Sequence, residues 1–290
     1  MRSLSFFARV AVLLVVLSAF LNAQKLTLDD VIEKHKNAIA QPNVLANITS
    51  VFSLGASSFE SKLPATKGGG KALVVSDAGD LMFLLSLASK EYPYEKIGYF
   101  DKKVSLPWVT AGTRSPLGAF VADHQKMLSE GLFMGSLSTR WLLLDHKKYG
   151  GKLVLAGIKK VDDRKAYCIE YYPGDGGSSE FKIRIYIDAE NFNHIRTEYS
   201  HEVPAKAEEF KRGLGSMAGG TENSAGVTLE LTEDFGDFKT VNAVTLPYSY
   251  RIKYLTSSNQ GTHQFEWGIN FVEHRVNQKL APDFFTFDPK

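Results

Sequence analysis

Residues 181–203, FKIRIYIDAENFNHIRTEYSHEV, constrain the fold more than any other stretch of the chain. Phe181, Ile183, Ile185 and Ile187 alternate with Lys182, Arg184 and Tyr186, the period of a strand with one wet face and one dry face. The AspAlaGluAsn run at 188–191 reads as a turn. Ile195, Thr197 and Tyr199 then alternate with Arg196 and Glu198, so two antiparallel strands pair and offer one apolar face. Such a face has to be covered, either by protein or by a ligand.

The same pattern recurs along the chain. Strands are expected at 47–58, 71–76, 81–88, 153–158, 165–172, 227–232, 246–255 and 262–273. AspAlaGlyAsp at 77–80 is a hairpin turn. Leu81, Phe83, Leu85 and Leu87 share one face of their strand while Met82, Leu84 and Ala88 share the other, so this strand is expected to be covered on both sides. Tyr248, Tyr250, Ile252 and Tyr254 in one strand, and Phe265, Trp267, Ile269 and Phe271 in the next, repeat the one-sided greasiness.

Two helices interrupt the strands. Thr27 with Asp30 forms a capping box ahead of the apolar stripe Leu28, Val31, Ile32, His35 and Ile39. Ser115 and Pro116 read as N-cap and first helical residue, followed by Leu117, Phe120, Val121, His124, Met127 and Leu128 at helical spacing. The order of helix, strands, helix and further hairpin strands predicts an α+β chain with a mostly antiparallel sheet.

The start of the chain has a different character. Arg2 and Arg9 precede the apolar run at 10–21, and Ala23 offers a small residue for cleavage, so residues 1–23 read as a secretory signal peptide. The run is shorter than the ~20 residues of a spanning helix. Removing 1–23 brings the formal charge from +2 to zero, which gives no invitation to nucleic acid. Residues 24–290 are expected to form one domain, with a flexible glycine-rich loop at 204–226.

No motif with chemistry emerges. HExxH, CxxC and GxSxG are absent, so neither a catalytic residue nor a metal ligand is assigned, and no cofactor is expected. On continuous strands, His194 and His201, seven apart, point to opposite faces. Glycines 68–70 precede a strand rather than a helix and read as a loop. Cys168, the only cysteine, reads as a small packed residue.

Several segments carry a resemblance. The runs DDRKAYCIEY at 162–171 and IYID at 185–188, with Arg196 on the return strand, resemble the pattern of periplasmic lipoprotein-sorting proteins, the LolA/LolB-like superfamily. DFKTVNAVTLPYSYRI at 237–252, NQKLAPDFF at 277–285 and the helix at 27–39 are similar to other segments of that family. Asn242 stands where the family has a turn glycine, and the family's lid arginine has no counterpart that aligns.

The resemblance implies an incomplete β-barrel, a strongly curved antiparallel sheet, with the N-terminal helix and the second helix as plug or lid. It implies an exported, periplasmic, monomeric carrier that is not an enzyme and holds a lipid or lipoprotein acyl chain in an apolar cavity. An envelope membrane protein is a further candidate partner. Phe120, Met127 and Leu128 would form the lid, and Phe83, Leu85, Trp108, Trp267 and Phe271 the lining. The alternative is a structural or regulatory envelope module, of the same fold, whose concave face is filled by its own side chains.

Overall fold

A computed structural model describes residues 26–62, 65–90, 92–109, 112–174, 181–203, 226–258, 261–281, 284–285 and 287. The segment read as a signal peptide, and residues 204–225 of the loop read as flexible, lie outside the described residues.

Twelve strands form one open antiparallel sheet. They are β1 Ser50–Lys62, β2 Ala65–Asp77, β3 Asp80–Leu87, β4 Tyr94–Phe100, β5 Lys103–Ser105, β6 Lys152–Val161, β7 Arg164–Tyr172, β8 Phe181–Asp188, β9 His194–Val203, β10 Val227–Val241, β11 Val244–Ser258 and β12 Gly261–Val276. Their order is β5-β4-β3-β2-β1-β12-β11-β10-β9-β8-β7-β6. Every neighbour is also a neighbour in sequence except β1 and β12, which pair from Val51 with Val276 to Ser61 with Phe265. The edge strands β5 and β6 are consecutive in the chain. The segment joining them must therefore cross from one edge of the sheet to the other, and it does so over the concave face, as a plug.

Helix α1 (Leu28–Ile39) starts at the expected capping box: Asp30 N–H donates to Thr27 Oγ1 and Thr27 N–H to Asp30 Oδ2. Its stripe of Val31, Ile32, His35 and Ile39 is buried. A single turn, α2 (Pro42–Leu45), leads into β1. The plug carries α3 (Pro116–Asp123), capped by Ser115 as expected, and one further turn, α4 (Lys126–Ser129). The expected single helix breaks at His124, which leaves helical geometry at φ −125°. Its ring instead stacks on Phe181 of β8, with centroids 4.3 Å apart.

Hairpin turns obey local rules. Ala78 and Gly79, and likewise Asn242 and Ala243, take positive φ as two-residue turns between paired strands. Asp188 Oδ1 accepts from the N–H groups of Glu190 and Asn191, which shapes the turn of the opening hairpin. β4 and β5 are strands that the alternation reading did not register.

Glycines 68–70 lie inside β2 rather than in a loop. A Cβ at Gly70 would fall 2.1 Å from Ser86 O of β3, so the bare backbone allows the two strands to approach. In β9 the register slips next to His194, between its pairings with Ile187 and Tyr186. That bulge turns His194 and His201 to the same inner side, against the expectation from continuous alternation, and sends Ile195 to a small outer cluster with Val161, Ala166, Cys168 and Tyr186.

β3 is covered along its concave face but on its convex face only near its start: Leu84 is half-buried and Ser86 exposed, and Ala88 lies exposed beyond the strand, short of the cover expected on both sides. Phe83, Leu85 and Leu87 belong to the main core on the concave side. Met82, on the convex side, is buried with Val75 beneath Phe284, Phe285 and Phe287 near the chain's end.

Candidate functional site

The middle of the concave face is closed by the plug, whose Met127, Leu132, Met134, Leu137 and Leu142 are wholly buried. Buried polar groups fix its position. Glu233 of β10 accepts from Met134 N–H at 2.7 Å, from Tyr199 OH at 2.7 Å, and from Tyr250 OH. Burial pushes the Glu233 carboxyl up to about 7, against the opposing pull of its hydrogen-bond donors.

Trp141 Nε1–H donates to His35 Nε2 at 2.8 Å, so the His35 proton sits on Nδ1, which donates to Phe192 O at 2.9 Å. Burial takes His35 down to about 4. Trp141 also stacks on His194 at 4.5 Å. Gly135, at φ +44°, fits because a Cβ there would lie 2.3 Å from the His194 ring. Arg140 donates to Gly79 O and Ser129 O, both at 2.7 Å, and lies 4.1 Å over the Tyr99 ring.

The structure brings seven of the eight expected lining and lid residues into one apolar cluster: Phe83, Leu85, Phe120, Met127, Leu128, Trp267 and Phe271. They touch protein. Phe83 meets Phe133 at 5.8 Å, Phe120 meets Tyr254 at 5.1 Å, and Trp267 meets Phe59 at 5.6 Å. Trp108 is outside the cluster, 51% exposed, with the Arg114 guanidinium 4.3 Å over its ring.

A cleft of about 320 Å³ lies between the far ends of β1, β2 and β12 and the start of α3. Phe59, Tyr92, Val109, Pro116 and Phe265 make its apolar walls, with Ser61, Thr66, Thr113, Arg114 and Ser115 adding polar atoms. Ser61 is buried, and its hydroxyl has no hydrogen-bond partner among the described residues.

Behind the wall, Ser115 Oγ donates to Glu95 Oε1 at 2.9 Å, Tyr92 OH donates to Glu95 Oε2, and Trp267 Nε1–H donates to Tyr92 OH at 2.9 Å. The same Ser115 Oγ accepts from Gly118 N–H at 2.8 Å and so starts α3. Burial pushes Glu95 up to about 7, opposed by its bonds from Ser115 and Tyr92.

Alternation reasoning missed Glu95 and Glu233, although a signal existed. Glu233 falls in step with Leu231 and Phe235, and Glu95 in step with Ile97 and Tyr99. Each is an acid on an otherwise greasy face.

A second cleft of about 350 Å³ lies beneath α1 at the opposite end, walled by Ile39, Leu45, Val51, Leu144, Val244 and Leu246. Among the described residues there is no group of three or more histidine, cysteine or acidic side chains that could hold a metal ion, and no helix long and apolar enough to cross a membrane.

No protein-family model matches this chain, and no curated protein matches it in sequence. Solved structures similar to it include a LolA superfamily protein from Nitrosomonas europaea, at 15% identity and TM-score 0.47, covering 90% of this chain and 98% of that one. A DUF1329 family protein from Desulfovibrio piger gives 11% identity and TM-score 0.47, over 90% and 97% of the two chains. A domain named for outer-membrane lipoprotein sorting, from Vibrio parahaemolyticus, gives 11% identity and TM-score 0.44, over 88% and 94%. Two of these names coincide with the resemblance read from the sequence. Likenesses this loose carry no inference about ligand or activity, and the architecture rests on its own strand order and register.

Proposed function

We infer that this protein is a carrier, not an enzyme, which holds an acyl chain of a lipid or lipoprotein in the cleft between β1, β2, β12 and the start of α3. The observation that carries the reading is the cleft itself: an apolar space with an unpaired buried hydroxyl, Ser61, and a cation, Arg114, on its wall. Its volume is at the lower end of the ~300–1,000 Å³ common for small-molecule sites, and each CH₂ hidden there contributes about 0.8 kcal/mol.

A longer chain would need more room. On this reading α3 and α4 act as a lid. Moving Phe120, Met127 and Leu128 outward would extend the cleft along Phe83, Leu85, Trp267 and Phe271, with Trp108 at its mouth. The signal-peptide pattern at 1–23 supports export to the periplasm as the setting in which such a carrier works.

The second reading, an envelope module with a self-filled concave face, draws on the bonds from Met134 to Glu233 and from Trp141 to His35 that fix the plug. Uptake of a fluorescent fatty acid, combined with native mass spectrometry of the purified protein, separates the two. The carrier reading expects one bound chain, and expects Thr66→Trp to block uptake while the circular dichroism spectrum is unchanged. A folded protein that takes up no probe and carries no lipid from the cell would overturn it in favour of the self-filled module.

A further inference from the structure

Two hydroxyl groups in the cleft wall have their hydrogens turned away from the cleft. Ser115 Oγ donates to Glu95 Oε1 and Tyr92 OH to Glu95 Oε2, so neither hydrogen is open to a ligand while the carboxyl group is charged. Each oxygen also accepts: Ser115 Oγ takes the Gly118 N–H at 2.8 Å, and Tyr92 OH takes Trp267 Nε1–H at 2.9 Å. Ser115 and Tyr92 line the cleft, whereas Glu95 lies behind them.

A proton on Glu95 changes the count of donors. The carboxylic acid then carries an O–H of its own, and the side-chain oxygens bonded to it are those of Ser115 and Tyr92. A hydroxyl oxygen has two lone pairs, so either one has room for a second donor. The hydroxyl that accepts the carboxyl proton must turn its own hydrogen away from Glu95, and the open space beside both side chains is the cleft.

The charged form of Glu95 is held by hydroxyl and amide hydrogens alone among the described residues. Lys96 lends its backbone N–H, Leu85 stands opposite on β3, and the titratable group in contact is Tyr92 itself. The Arg114 guanidinium is turned to Leu106 O and the Trp108 ring. Neither protonation state is locked in by an ion pair, which is what a switch between them requires.

We propose that the cleft recognises an acceptor oxygen, an ester or acid carbonyl at the head of its acyl ligand, through the hydroxyl of Tyr92 or Ser115, and that Glu95 governs this bond. The protonated acid frees the hydroxyl hydrogen for the ligand, and the carboxylate takes it back. Ligand and proton therefore bind together, and a rise in pH loosens the ligand. The proposal rests on the acyl reading and adds to it the head chemistry that the cleft selects and the proton that controls its hold.

The test uses two volatile, uncharged probes on the purified protein: methyl octanoate, an ester with no titratable group, and nonane, which is similar in length and has no acceptor. Depletion of each from the headspace above the solution gives its affinity. Between pH 5.5 and pH 8.5, either side of the value near 7 to which burial brings Glu95, affinity for the ester should fall roughly two- to tenfold, the worth of one net hydrogen bond. Affinity for nonane should stay level. Glu95→Gln supplies a permanent amide hydrogen in place of the acid proton, so it should hold the ester at the acid-side affinity throughout, although Glu233, the other raised acid, is untouched.

Of Tyr92→Phe and Ser115→Ala, one should bind the ester at the weaker, alkaline-side affinity at every pH, and this pair decides the matter should Glu95→Gln fail to fold. An ester affinity that ignores pH or rises with it, a nonane affinity that falls alongside, a folded Glu95→Gln protein that keeps the slope, or two hydroxyl variants that both keep it would each overturn the proposal. Uptake without the slope leaves the acyl reading standing. Failure of both probes and of the fluorescent fatty acid at every pH would sink the acyl reading, and this proposal with it.

Discussion

Glu233 in the middle of the concave face and Glu95 beside the cleft are both fully buried, are both pushed up to about 7, and each accept from two hydroxyl groups. Their surroundings differ. Tyr199, Tyr250 and the Met134 N–H around Glu233 are all buried in the main core, so that carboxyl serves as a fixed clasp on the plug. Around Glu95, Tyr92 and Ser115 both form part of the cleft wall, and Ser115 also caps α3. The same local chemistry locks the plug against the core in one region and, in the other, links the start of α3 to the wall of an open cleft. Buried acids here mark two of the places where the plug is attached to the sheet.

The largest expected effect comes from breaking the central clasp. Glu233→Leu leaves the Met134 N–H and the Tyr199 and Tyr250 hydroxyls unpaired, and should cost about 3 kcal/mol or more, read as a loss of urea midpoint. Glu95→Leu should cost less, because groups beside the cleft are nearer to water. Equal losses at the two sites would erase the distinction.

The pH profile comes next. For Glu95 and Glu233 the folded value lies above the ordinary 4.5, so their stabilising contribution is complete below about 4.5 and is lost as pH rises through about 7. Burial takes His35, His124 and His274 down to about 4 and His194 well below the ordinary 6.5. Their contribution is complete above 6.5 and is lost as pH falls through about 4. Urea midpoints from pH 4 to 9 should therefore peak between these limits, and Glu233→Gln should flatten the alkaline limb. A limb that keeps its slope would contradict the assignment of Glu233 to it.

Gly135→Ala drives a methyl group into the His194 ring at a positive φ, and should cost about 1–3 kcal/mol; calorimetry measures it. The smallest effect belongs to the cleft mouth. Trp108→Ala loses mainly its contact with Arg114, about 0.5–1 kcal/mol. A larger drop in thermal midpoint would mean that the mouth is as rigid as the centre.

What the sequence made legible was what depends on near neighbours. The alternation of β8, the Thr27 capping box, the Ser115 cap and the turn at Ala78 and Gly79 each follow from a few adjacent side chains. The bulge at His194 was not legible, because its cause is a plug segment from far along the chain that places Trp141 and Gly135 against the ring. The break of the second helix at His124 has a similar origin, since its stacking partner Phe181 is on β8. The cleft was half legible. Trp267 and Trp108 stand out in the sequence as large aromatics and lie behind its wall and beside it, but Ser61, Arg114 and Glu95 acquire their surroundings only through the pairing of distant strands.

The seam between β1 and β12 has a consequence for how the molecule comes into being. Each other pairing in the sheet joins strands that follow one another, so it can form soon after its two strands leave the ribosome or a translocation channel. The seam cannot: the bond between Ser53 and His274 spans 221 positions. Until β12 arrives there are two ribbons, one ending on an unpaired β1, and exposed strand edges of that kind attract other chains. A chain cut short before residue 261 would retain eleven of the strands that form the sheet and still lack the one that joins them, so synthesis of β12 decides when two ribbons become one body.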